Sequence, residues 1–271
     1  MVNFASAPGV PASSDRVVGN SVVHGLENEN RLVRQRVGGF SVMEYVRDLS
    51  LSPDEAMRAY FMSEMDVCRR QLVVEVGDGA GVVVQAGSMQ WALGDVQAKT
   101  GVKGVGDLFG KVVRGSVTGE SAIKPEYHGR GLIALEPTWR HIILVSAADW
   151  GEGIVVEDGM FLACSSTVGQ SVQRRRNVSS AVAGGEGLFN LCLSGRGVVA
   201  LESPVPYSEL VEVELSDDTL RVDGPLAVAW SKSLDFRVER ATASLVGSAA
   251  SGEGLVNAYR GTGRVLMAPV R

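Results

Sequence analysis

From residue 71 onward the chain breaks into short apolar runs: LVVEV, GVVVQAG, GLIALEP, HIILVS, GIVVEDG, GVVALES, LVEVEL, LRVDG, LAVAW and RVLMAP. They are rich in β-branched residues and are stopped by Gly, Pro or Asp, the punctuation of a sandwich or barrel-like all-β fold. Upstream the period changes. Ser52-Pro53-Asp54-Glu55 has the residues of a capping box with Pro in the first turn, and Met57, Tyr60, Phe61 and Met65 then recur at helical spacing. A helix is predicted over about 53–69, with this stripe packed on the main domain; a Met-rich docking face is the sharper alternative. Residues 1–16 read as a disordered tail, and 17–70 as an N-terminal extension in which VVGNSVVHGL and GGFSVMEYV are candidate short strands.

The strand-rich region repeats itself. Gly129-Arg130-Gly131, Gly195-Arg196-Gly197 and Gly261-Thr262-Gly263 start 66 and 66 residues apart, each followed by an apolar strand. Gly119-Glu120, Gly185-Glu186 and Gly252-Glu253 keep spacings of 66 and 67, and Gly159 and Gly224 lie 65 apart. Repeats at such a period signal stacked modules. Counted from Gly119, the units are 119–184 and 185–251. The third, 252–271, is truncated, and 71–118 supplies its missing half. The prediction is a domain over 71–271 whose third unit is split, with strands from its two ends pairing to close it.

Composition narrows the function classes. Glycine, at 33 of 271 residues, suits many tight turns, and the net charge of −5 disfavours nucleic acid as a general partner. Three cysteines without CxxC spacing argue against a disulfide framework and for a reducing, cytoplasmic setting. The N-terminus lacks the basic-then-apolar form of a signal peptide, and no apolar run is long enough to cross a membrane.

No catalytic, cofactor or metal motif survives inspection. Gly106 and Gly110 enclose three residues where a phosphate loop needs four, and Val112 follows Lys111. His24, His128 and His141 have no metal-ligand spacing. Glu120, Glu186 and Glu253 occupy equivalent repeat positions, which favours a structural role, and Trp91 and Trp230 read as core. Two cationic features remain. Lys103, Lys111 and Arg114 lie in the glycine-rich segment 101–119, read as a loop or copy–copy contact, with an anionic membrane surface or a small ligand as the alternatives. Arg174, Arg175 and Arg176 form a basic run read as a solvated loop, with an anion contact as the alternative.

The segments AGSMQW (86–91), GVKGVGDLFGKVVRGSVTGES (101–121), GEGLFNLCLSGRGVVALESP (185–204), VDGPLAVAW (222–230) and GEGLVNAYRGTGRVLMAP (252–269) resemble the altered-inheritance-of-mitochondria family. The resemblance covers about 71–271. It implies a mainly β fold of three tandem short double-stranded β-helix repeats, similar to the tryptophan RNA-binding attenuation protein (TRAP-like), and a homotrimeric ring. It brings no catalytic residues. The expectation is a non-enzymatic self-assembling scaffold or binding platform. A membrane-surface module through 101–119 and an RNA- or small-ligand-binding ring are the alternatives.

Overall fold

A computed structural model of the chain describes residues 15–77, 79–99, 124–174, 189–240 and 255–270. The N-terminal extension forms two hairpins. One pairs β1 (Arg16–Val18) with β2 (Ser21–Val23), and the other pairs β3 (Arg31–Val37) with β4 (Phe40–Tyr45). Helix α1 (Pro53–Ser63) follows. The main domain then runs β5 (Arg70–Val76), β6 (Val82–Val84), β7 (Met89–Lys99), β8 (Glu126–Leu135), β9 (His141–Ser146), β10 (Ile154–Val156), β11 (Phe161–Ser165) and β12 (Val168–Arg174). It continues with β13 (Phe189–Gly195), β14 (Val198–Ser203), β15 (Val211–Asp223), β16 (Ala227–Ser231), β17 (Asp235–Arg240) and β18 (Leu255–Met267).

These strands form an antiparallel nine-stranded sheet, β3-β4-β5-β8-β6-β11-β14-β9 with β7 on β8, and a seven-stranded sheet, β12-β13-β10-β16-β18-β15 with β17 on β18. The nine-stranded sheet curls so that its end strands, β3 and β9, line opposite sides of one groove. Apolar side chains from both faces fill three large clusters. Leu72, Val74, Ile133 and Leu135 belong to the first; Ile154, Leu193 and Leu201 to the second; Trp230, Phe236 and Tyr259 to the third. Each such residue contributes about 1.5–3 kcal/mol by leaving water.

One hairpin geometry recurs three times. Against β8, β7 pairs Met89 with Leu135 and then slips by one residue, so that Trp91 faces Ala134. Against β14, β11 slips between Phe161–Leu201 and Ala163–Ala200. Against β18, β16 slips between Ala227–Met267 and Ala229–Leu266. Just beyond each bulge a backbone N–H donates across the hairpin: Glu136 to Ser88 (2.6 Å), Glu202 to Met160 (2.7 Å) and Ala268 to Leu226 (2.8 Å). The other edge of each receiving strand also carries a partner, with Val73 facing Ala134, Leu144 facing Ala200 and Glu212 facing Leu266. The first glycine of each G-x-G, at 129, 195 and 261, has φ of +115°, +101° and +115°, a region open to glycine and strained for other residues.

Three expectations are corrected. Among the described residues the strands at the two ends of the domain do not pair with each other. β18 pairs with β15, β16 and β17, while β5 pairs with β4 and β8, and the two sets lie in different sheets. Each G-x-G strand takes its partners from the residues just before it in sequence, so the hairpins with their outer strands occupy contiguous stretches, 70–135, 141–203 and 211–267. Gly119 was the wrong place to start counting. The helix ends at Ser63 rather than near 69, and its stripe does not pack on the main domain. Met57, Tyr60, Phe61 and Met65 are all exposed. The apolar outer face of the sheet is instead covered by the first hairpin, whose Val18 packs with Leu26 on Met43, Val73 and Leu132. Finally, Trp230 is core but Trp91 is only half-buried, since nothing pairs with the far edge of β7 among the described residues.

Candidate functional site

Of the cationic residues singled out by sequence, Lys103, Lys111, Arg114, Arg175 and Arg176 lie outside the described residues, as do Glu120, Glu186 and Glu253. Arg174 is the last residue of β12. No helix among the described residues is long and apolar enough to cross a membrane. The features built by the fold are two kinds of strand edge and an ion-pair cluster.

The first kind of edge joins successive hairpins. β6 pairs with β11 through Val84–Ala163, Val83–Cys164 and Val82–Ser165, and Gln85 N–H donates to the carbonyl of Leu162 at 2.8 Å. β10 pairs with β16 through Val156–Ala229, Val155–Trp230 and Ile154–Ser231, and Glu157 N–H donates to Val228 at 3.1 Å. In both, the acceptor is the extra residue of the bulge. A further bond seals each junction: Ser166 N–H to Gly81 and Lys232 N–H to Gly153, both 2.9 Å. Leu220, Arg221 and Val222 of β15, and Leu93, Ala92 and Trp91 of β7, hold the positions that correspond to the two sides of these junctions. Among the described residues β15 pairs only with β18 and β7 only with β8, so each leaves one edge unpaired there.

The second kind is the outer edge of β9, which among the described residues pairs only with β14. It borders a groove of about 430 Å³ with Arg34, Val42 and Glu44 opposite Ile142 and Leu144, and Tyr207 at one end. Beside it Arg70, only 4% exposed, forms an ion pair with Glu44 Oε2 (3.2 Å) and donates to Asp66 Oδ1 (3.0 Å) and the carbonyl of Cys68 (3.3 Å). Arg34 holds the other oxygen of Glu44 at 2.8 Å. Glu44, Asp66 and Cys68 have ligand atoms within 4.8 Å of one another. However, two guanidinium groups occupy the carboxylates, and burial pushes the Cys68 thiol up to about 11, so this is an ion-pair network rather than a cation cradle. Burial and Arg70 hold His141, beside Asp66, below the ordinary imidazole range. Burial pushes Cys164 up to about 12 and raises Cys192.

Neither edge was visible in the sequence. A strand's pairing depends on register, and the register here is set by bulges that leave no composition signal. The ion-pair cluster joins Glu44 to the 66–70 segment across α1, with no local motif.

The comparisons agree with this architecture. An uncharacterized protein of Streptococcus pyogenes serotype M6 is 30% identical over 200 residues, 71% of this chain and 78% of that protein. An X-ray crystal structure of a Streptococcus pyogenes protein, a structural-genomics target, matches at 27% identity with a TM-score of 0.55, covering 76% of this chain and 89% of that one. The family model described as "Mitochondrial biogenesis AIM24" matches residues 66–270. The chain, mainly β from residue 70 and joined to an N-terminal extension, belongs to the AIM24 family.

Proposed function

We propose that the protein is a non-enzymatic, self-assembling β scaffold. Its three hairpin units are tandem repeats of a short double-stranded β-helix, and its copies join head to tail. The single observation that carries this is the pair of in-chain junctions with one register and one bulge-carbonyl bond, beside two edges, unpaired among the described residues, whose positions correspond to that register. A chain whose two ends complement each other forms a heterologous interface, which yields a closed ring or a filament. The family resemblance favours a ring of three copies. At the joint, Asp223 N–H donates to the carbonyl of Gln90, the bulge residue of β7, and Arg221 faces the small Ala92. Unpaired strand edges invite pairing, and Val222 and Trp91 supply apolar contact there.

Size-exclusion chromatography with light scattering tests this at micromolar concentration. The expected mass is three times that of the 28.7 kDa chain. A strict monomer overturns the proposal.

A further inference from the structure

The outer edge of β9 carries a row of outward-facing backbone groups. Ala147 N–H donates to Gly197 at 3.0 Å, which fixes the phase of the ladder. His141, Ile143 and Val145 exchange bonds with β14, and Ile142, Leu144 and Ser146 turn their N–H and C=O groups to the groove. The side chains of Ile142 and Leu144 are held in the first apolar cluster, which fixes the strand and its outward backbone groups in place.

The same edge exists on the other two units, and each handles it differently. On β5 the matching residues are Gln71, Val73 and Glu75, and they are covered. β4 lies antiparallel along them, with Glu75 N–H donating to Gly39 at 2.8 Å and Ser41 opposite Val73. On β15 the edge residues include Glu212 and Glu214, both exposed, and like charges along an edge deter a further strand. The β9 edge has neither device. It is apolar, it is uncovered among the described residues, and it opens on a groove whose opposite wall, Val42 and Glu44, belongs to β4.

We infer that a short extended segment of another protein adds to β9 as an antiparallel strand, seated as β4 is seated on β5. In-chain precedent specifies the ligand: bonding positions that are small or unbranched, as Gly39, Ser41 and Met43 are, alternating with apolar residues, as Phe40 and Val42 are. Main-chain bonds supply affinity and the alternate side chains supply selectivity. The site does not depend on ring assembly, because β9 takes no part in either junction or in the two end edges.

The probe is a synthetic peptide of residues 39–44, Gly-Phe-Ser-Val-Met-Glu, with a soluble fluorescent tag, added to the full chain. Anisotropy should show saturable binding, and amide exchange at Ile142, Leu144 and Ser146 should slow at least tenfold. Ser146→Pro removes one outward N–H at a half-buried position without touching the β14 ladder, and should weaken binding at least tenfold. Should that variant not fold, the same peptide N-methylated at its serine, a bonding position, should bind the unaltered chain at least tenfold more weakly. Absence of saturable binding overturns the inference. So does peptide protection appearing at Gln71, Val73 and Glu75, which is exchange with β4, or protection of the β9 amides before any peptide is added.

Discussion

Glu157 N–H donates to the carbonyl of Val228 at 3.1 Å, and the same bond, one unit earlier, runs from Gln85 to Leu162 at 2.8 Å. Each crosses from one hairpin unit to the next at the bulge. In the proposed joint between copies, Asp223 is the corresponding donor and Gln90 the corresponding acceptor. Asp223→Pro deletes only an N–H that points off the edge, so it should yield a monomer that still unfolds cooperatively. Glu157→Pro breaks a bond inside the folded chain, and should cost about 3 kcal/mol or more. Light scattering and urea unfolding of the pair separate assembly from folding. An Asp223→Pro chain that stays associated would place the joint elsewhere.

Gly129 and Gly261 share a φ of +115°, yet their surroundings differ. A Cβ at Gly129 lands 1.9 Å from the carbonyl oxygen of Asp95, whereas at Gly261 the nearest atom is 3.8 Å away. Gly261→Ala therefore carries backbone strain alone, about 1–3 kcal/mol. Gly129→Ala adds a backbone collision between β7 and β8 and should lose visibly more. Equal losses in denaturant titrations would show that φ, not crowding, explains both glycines.

How much of this was legible beforehand follows from what each signal reports. The 66-residue period was readable because the G-x-G positions need unusual backbone torsions and tight approach, which only glycine supplies. Where a unit starts was not, because a period carries no phase; strand pairing decides it, and the choice of Gly119 produced a split that the sheets do not show. The capping box was readable locally: Ser52 N–H and Oγ both donate to Glu55, at 3.1 and 2.7 Å, and those bonds lower the Glu55 carboxyl. The facing of Met57, Tyr60, Phe61 and Met65 was not, because helical spacing defines a stripe without saying what lies opposite it. The groove beside β9 joins residues more than 100 positions apart, from Arg34 to Leu144, and no local pattern announces it.

Arg70 is the only link between Glu44 and Asp66 among the described bonds beside the groove. Removing one partner of a buried pair leaves an uncompensated charge and typically costs about 3–5 kcal/mol. Because Arg34 also holds Glu44, Arg70→Met should fall near the low end of that range. The double variant Glu44→Gln with Arg70→Met should recover part of the loss. A double-mutant cycle with no coupling between the two sites would mean that Arg70 acts through packing alone.

His141 gives the groove a pH dependence whose sign can be worked out. Its side chain is 14% exposed, and it faces Arg70, Asp66 and Glu44. Burial, then Arg70, lowers its folded value below the ordinary 6.5. The unfolded chain therefore binds the proton more readily than the folded one. Stability from this group is fully present above about 6.5 and is lost as pH falls below it, until the folded imidazole is also protonated. His141→Gln should flatten the stability profile on the acid side of 6.5 and leave it nearly unchanged at pH 8. Urea midpoints for both proteins at several values between pH 8 and 5 give the comparison. Parallel profiles would mean that His141 keeps the same proton affinity folded and unfolded, with Asp66 and Glu44 offsetting the effects of burial and Arg70.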